Sequence, residues 1–257
     1  MSREINKDNA CHFRDEFRYA RAVALKDAEG YQEILFALER LGSFLKEEVA
    51  VLGRYKDEIK VLAGFSPLSF DCNKVWHSDF TSLYELVKTA RNDALHQGAI
   101  ARHLTESAVK LALIIEDAIE EKAELMEVKD YMVRNPVCAD KWQPLSYIRQ
   151  QMLINSFSFL PFFQEAEWHF VSDCNLAKYL NSPCNCEKKK CDCRKVRLAQ
   201  SLFDAINKGL VPESSQTVNY SYSINQVLTE FNGKPILVFD NKLPNVLLGI
   251  ITSFDIL

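Results

Sequence analysis

The sequence predicts an α plus α/β protein, with an all-helical N-terminal half joined to a half that alternates short strands and helices. Two observations predict it. Before about Met126 the apolar residues recur at helical spacing, and after Asn135-Pro136 they fall into short runs of strand length set between helix-like stretches. The 257 residues give room for two separate cores. The expected domains are 1–126 and 127–257, joined by a helix that feeds the first strand.

In the first half, Ile34, Leu38, Leu41, Leu45 and Val49 mark one amphipathic helix. Phe65-Ser66-Pro67-Leu68-Ser69 interrupts the pattern. A second helix starts at Ser78 or Asp79, either of which can cap it, and carries Phe80, Leu83, Leu86, Val87, Ala90 and Ala94 toward a terminator at Gly98. A third follows Thr105, with Val109, Leu111, Leu113, Ile114 and Ile115 as its apolar residues. The sum is a bundle of about four main helices with an extra helix before it.

In the second half, strands are expected at Phe157–Phe163, Trp168–Val171, Pro235–Phe239 and Val246–Ile251, with helices at Leu145–Ile154, Leu198–Ile206 and Ile224–Phe231. Aligning Trp168–Leu176 with Leu248–Ile256 reveals an internal repeat of about 80 residues, over roughly 133–180 and 211–257.

Composition bounds the function. Apolar content of 47% and charged content of 26% exclude wholesale disorder. A formal charge of −4 argues against general nucleic-acid coating but leaves room for a local basic site. The residues from Met1 to Arg18 have no apolar secretory core, and the longest apolar runs are too short for a bilayer, so the expectation is a cytoplasmic protein without a membrane.

Arg91-Asn92-Asp93-Ala94-Leu95-His96 holds a permanent cation and a titratable imidazole near a helix end. Asn92 and His96 stand at i and i+4 and share a face. Arg91 and His96 point roughly 140° apart on an ideal helix, so one chain has difficulty focusing both on one phosphate. The Arg-x4-His pattern in a helical bundle resembles the HEPN domain, over about Gly30 to Met126. That resemblance implies a homodimer in which motifs from two protomers line one cleft and cleave RNA through its own 2′-hydroxyl. His96 would move the proton, Arg91 would stabilise the phosphorane, and Asn92 would orient the imidazole or hold a phosphate oxygen. Lys88, Arg102 and His103 flank the motif and would guide the RNA backbone. The alternative is structural, with Arg91 paired to a bundle carboxylate and His96 a polar residue at a helix end.

Gly249-Ile250-Ile251-Thr252-Ser253-Phe254-Asp255 reads as a strand, a polar turn and a helix start, where backbone N–H groups favour an anion. The segment resembles the end of a CBS module, and the resemblance covers roughly Val133 to Leu257 as a tandem pair. It implies an adenine nucleotide as regulatory ligand, with Thr252 near phosphate and Asp255 on ribose. The first repeat departs from the family pattern. Ser172 keeps the hydroxyl, but Asn175 stands where the family has Asp and His169 where it often has Gly, so the charge assistance is gone. The alternative for Thr252 and Asp255 is that they only cap the last helix.

Cys184, Cys186, Cys191 and Cys193 form two Cys-x-Cys pairs within an insertion at 184–197. Four thiolates suit a tetrahedral structural zinc, and the alternative is a loop with free or disulfide-bonded thiols. From Glu187 to Arg197 there are six basic and two acidic residues, a local net of +4 that either contacts RNA phosphate or keeps the loop solvated. The combined expectation is a metal-independent HEPN-type ribonuclease controlled by a nucleotide-binding CBS pair, of the kind used in stress or anti-phage defence. The alternative is a non-catalytic nucleotide-sensing or scaffold protein.

Overall fold

The structure is a computed structural model describing residues 3–27, 30–69, 76–94, 101–124, 126–183 and 193–257. The chain divides into two compact units, Met1–Leu125 and Met126–Leu257.

The first unit is helical: α1 (Lys7–Lys26), α2 (Tyr31–Lys46), α3 (Lys56–Ala63), α4 (Phe80–Ala94) and α5 (Ala101–Ala123). Local chemistry sets several ends. Asn6 accepts the Asn9 N–H at 3.0 Å to start α1, and Asp79 accepts the Ser82 N–H at 3.1 Å to start α4, as its spacing predicts. Two boundaries differ from the sequence expectation. The α2 helix stops at Lys46 through the left-handed Glu47, so Val49 lies beyond it and is exposed. Thr105 does not begin the next helix but lies inside α5, which starts at Ala101.

The α5 helix is the axis of the bundle and packs against each of α1 to α4. Its Leu104, Ala108, Leu111, Ala112, Ile115, Ala118 and Ile119 are all buried, a stripe wide enough to be covered from several sides. One seam is ionic. Arg14, Arg18 and Arg21 recur on one face of α1 and meet Glu116 and Glu120, one turn apart on α5. Arg21 grips Glu116 with two bonds of 2.9 Å, which fixes the register of the two helices by geometry that apolar contacts lack. Burial pushes the Glu120 and Asp117 carboxyls up from their ordinary range, despite the arginines facing Glu120 and the Ser66 hydroxyl facing Asp117.

The second unit is built twice. It holds α6 (Val128–Tyr131), β1 (Val133–Arg134), α7 (Leu145–Asn155), β2 (Phe159–Gln164), β3 (Glu167–Ser172), α8 (Asp173–Asn181), α9 (Cys193–Ala199), α10 (Leu202–Asn207), β4 (Glu213–Ser214), β5 (Gln216–Asn219), α11 (Ile224–Glu230), β6 (Ile236–Asp240) and β7 (Leu243–Ile251). The strands form one sheet in the order β1-β7-β6-β5 and another in the order β2-β3-β4. Each repeat lends its first strand to the other repeat's hairpin, and the registers match. Val133 pairs with Ile250 and Arg134 with Gly249, as Glu213 pairs with Phe170 and Ser214 with His169. The backbone bonds repeat as well. Ile224 N–H to Met126 O (2.7 Å) corresponds to Leu145 N–H to Gln200 O (2.9 Å), and Val128 N–H to Tyr222 O (2.8 Å) to Leu202 N–H to Gln143 O (2.9 Å). The alignment of Trp168 with Leu248 is therefore the alignment of the fold.

Strand alternation distributes the core. Ile236 and Val238 of β6 face a cluster with Val128, Ile224 and Val227. Leu237 and Phe239 between them join Phe170 of β3 in a separate cluster where the sheets meet. Leu160, Phe162 and Val171 pack on Leu145, Ile148, Leu176 and Leu202. The predicted helix Leu198–Ile206 is two helices, because Ser201 accepts the Asp204 N–H at 3.1 Å and restarts the chain as α10.

Candidate functional site

The strongest candidate site lies at the C-terminal ends of β3 and β7, where the two repeats carry equivalent polar turns. After β7, Thr252 opens a single 3-10 turn, Ser253–Asp255, rather than a helix. The Asp255 Oδ2 accepts the Thr252 backbone N–H at 2.7 Å and the Thr252 hydroxyl at 2.8 Å. The two residues are thus brought together as a capping box, which orients the carboxylate while using one of its oxygens.

After β3, Ser172 is buried and caps α8 by accepting the Asn175 N–H at 3.2 Å. Asn175 then departs from its counterpart. Its side-chain amide donates to Val211 O at 3.1 Å and to Glu213 Oε1 at 3.2 Å. Glu213 is also bound by Lys234 Nζ at 2.6 Å. The Lys234 ammonium first, and then the Ser172 hydroxyl, hold the Glu213 carboxyl below its ordinary range. The first-repeat turn therefore has a carboxylate after all, supplied by β4 and already paired. An aspartate at 175 would face it with like charge.

Glu213 and Lys234 were not singled out by the sequence. The available signal was the repeat itself, since Glu213 occupies the register position of Val133. His169 is explained by the same comparison. Gly249 is backed by Met132 and the Val133 carbonyl, whereas the ring of His169 packs on Phe162 at 5.6 Å.

In the helical unit, Arg91 and Asn92 fall on the last turn of α4, and Arg102 and His103 on the first turn of α5. His96 lies outside the described residues, as do the side chains of those four. Lys88 is described: it is ion-paired with Glu85, which also receives Lys56 Nζ at 2.7 Å. The two ammonium groups pull the Glu85 carboxyl down to about 2. The Lys56–Glu85–Lys88 cluster keeps one net positive charge.

Cys184, Cys186 and Cys191 lie outside the described residues, while Cys193 begins α9 and is disulfide-bonded. Among the described residues no group of three His, Cys, Asp or Glu side chains is placed to hold a metal. Among them too, no helix is long and apolar enough to cross a membrane.

Solved structures similar to this chain include a CBS-domain containing protein from Agrobacterium tumefaciens, with 14% identity and a TM-score of 0.38 over 51% of this chain and 90% of that one. CBSX2 in complex with AMP is 17% identical, with a TM-score of 0.36 over 51% of this chain and 92% of that one. Hypoxic Response Protein I with two coordinated zinc ions is also 17% identical, with a TM-score of 0.36 over 51% of this chain and 95% of that one. No protein-family profile and no curated protein matches the chain.

Proposed function

We propose that the second unit is a nucleotide-sensing module of tandem CBS type and that it regulates the helical unit. The observation that carries this reading is the asymmetry between two equivalent turns in a doubled fold. At the first, Glu213 is tied to Lys234 and to Asn175. At the second, Thr252 and Asp255 form a hydroxyl–carboxylate pair at a strand end. The second is the better ribose and phosphate site: Asp255 accepts ribose hydroxyls, and Thr252, whose single hydroxyl proton now goes to Asp255, would turn it toward phosphate when a ligand takes over that carboxylate. The adenine nucleotide is the expected ligand class. Isothermal titration of the full chain with AMP, ADP and ATP tests this, and Asp255→Ala should abolish saturable heat.

A second, finer reading makes the helical unit the effector as a HEPN-type ribonuclease. It is favoured by the packing of α4 on α5, because only residues 95–100 join them, so the ends carrying Arg91, Asn92, Arg102 and His103 lie at one end of the helix pair. Arg91, Asn92 and His96 would then act across a homodimer on single-stranded RNA, without metal. The expected outcome is cleavage in EDTA leaving a 2′,3′-cyclic phosphate, lost in Arg91→Ala/His96→Ala. Undiminished cleavage by that variant sinks the reading, and no cleavage by the wild-type dimer leaves the module as a nucleotide-responsive scaffold. Defence against foreign genetic elements is the setting such a ribonuclease suits. The four cysteines would hold a structural zinc in the reduced protein, once the disulfide at Cys193 is opened.

A further inference from the structure

A cleft of about 640 Å³ opens in the second unit at the other ends of the strands, against the start of β3 and the end of β6. It is separate from the Thr252–Asp255 turn: none of its lining residues belongs to that turn, and Phe239 pairs with Leu247, five residues before Thr252, which is ~17 Å at a rise of ~3.4 Å per residue. The size is that of a small-molecule pocket.

Its chemistry is one-sided. Trp168, Tyr222 and Phe239 contribute rings, with Trp168 and Phe239 at 6.4 Å between centroids and inclined at 52°. Glu167 and Asp240 contribute carboxylates, and no lysine or arginine is among the described lining residues. Lys242 follows in the same turn but gives only its backbone N–H, at 2.9 Å to Asp240 Oδ1, and its side chain does not line the cleft. The wall is held in place: Ser215 Oγ donates to Trp168 O at 2.6 Å, tying the β2–β3 hairpin to the β4–β5 segment. His169 and uncharged residues complete the described lining, so the two carboxylates are its permanent charges and disfavour phosphate. Aromatic faces with carboxylates beside them attract the opposite ligand, since the ring quadrupole and the carboxylates both favour a cation.

We infer that this cleft binds an organic ammonium ion, a cationic amine carried on an apolar body. The inference does not depend on the nucleotide reading, because no residue is shared with the Thr252–Asp255 turn. Compact quaternary amines and extended polyamines share this chemistry, and choline and spermidine are the probes that separate them.

The test uses emission from Trp168. The other two tryptophans, Trp76 and Trp142, are 82% and 70% exposed and can be replaced by Phe in the full chain. Saturable change in Trp168 emission with choline or spermidine is the expected result. Glycine betaine, which adds a carboxylate to the same quaternary head, should bind about tenfold more weakly than choline. Asp240→Asn keeps the bond to Lys242 N–H and removes only the charge, so it should weaken the bound cation by about fivefold. Asp255→Ala should leave the titration unchanged. The inference is overturned if neither cation gives saturation, if betaine matches choline, or if Asp240→Asn has no effect. Loss of the signal in Asp255→Ala also overturns it, by assigning the ligand to the other strand ends.

Discussion

At position 175 the chain carries an amide where a carboxylate would be expected, and the reason is a residue 38 positions away. Asn175 donates to Glu213, so Asn175→Asp would set two carboxylates within bonding distance. We expect a loss of about 1–2 kcal/mol in the second unit at pH 7, read as a lower urea midpoint and relieved as the pH falls toward 4. The Glu213 carboxyl is held below its ordinary range, so its contribution is present at neutral pH and lost as acid protonates it. Asp117 has the opposite sign. Burial raises it, so the folded bundle favours the protonated form, and that contribution is lost as pH rises through the shifted value. Asp117→Asn keeps the acceptor for Ser66 and should raise the pH 7 melting temperature while flattening its decline as the pH rises above the ordinary carboxylate range. The departure at Asn175 was legible in the sequence because the repeat offered Asp255 for comparison. Its partner was not, because strand pairing between β3 and β4 is long-range and the lysine arrives from a third segment.

Among the elements, β1 is short and depends on close backbone approach. A Cβ at Gly249 would lie 2.7 Å from Met132 Sδ and 2.9 Å from the Val133 carbonyl. Gly249→Ala should therefore weaken the β1–β7 pairing and cost about 1–3 kcal/mol, seen as faster amide exchange at Val133 and Ile250, which face each other across the ladder. Long periodic helices such as α2 and the alternating strands were readable because burial on one face repeats along the element. Helix ends were less so. Asp79 announced its cap, but Thr105 also looked like one and lies inside α5, since a hydroxyl caps only where the preceding backbone turns extended. The reverse occurred at Ser201, which splits an apparently continuous apolar stretch into α9 and α10.

On the scale of the whole molecule, the doubled second unit was the most legible feature, because the Trp168–Leu248 alignment is the register in which the strands pair. The chemistry was legible only in part. Thr252 and Asp255 do meet, but as a capping box around one carboxylate oxygen, an outcome that spacing alone leaves open. In the proposed arrangement a ligand-sensing module is joined to a helical effector and takes an adenine nucleotide at the second-repeat turn. The most direct measurement is isothermal titration of AMP into the full chain and into Asp255→Ala, at the same salt and pH. Saturable binding to the wild type and none to the variant is expected, with both proteins melting alike outside the second unit. Equal binding to the two proteins, or no binding to the wild type, would contradict it.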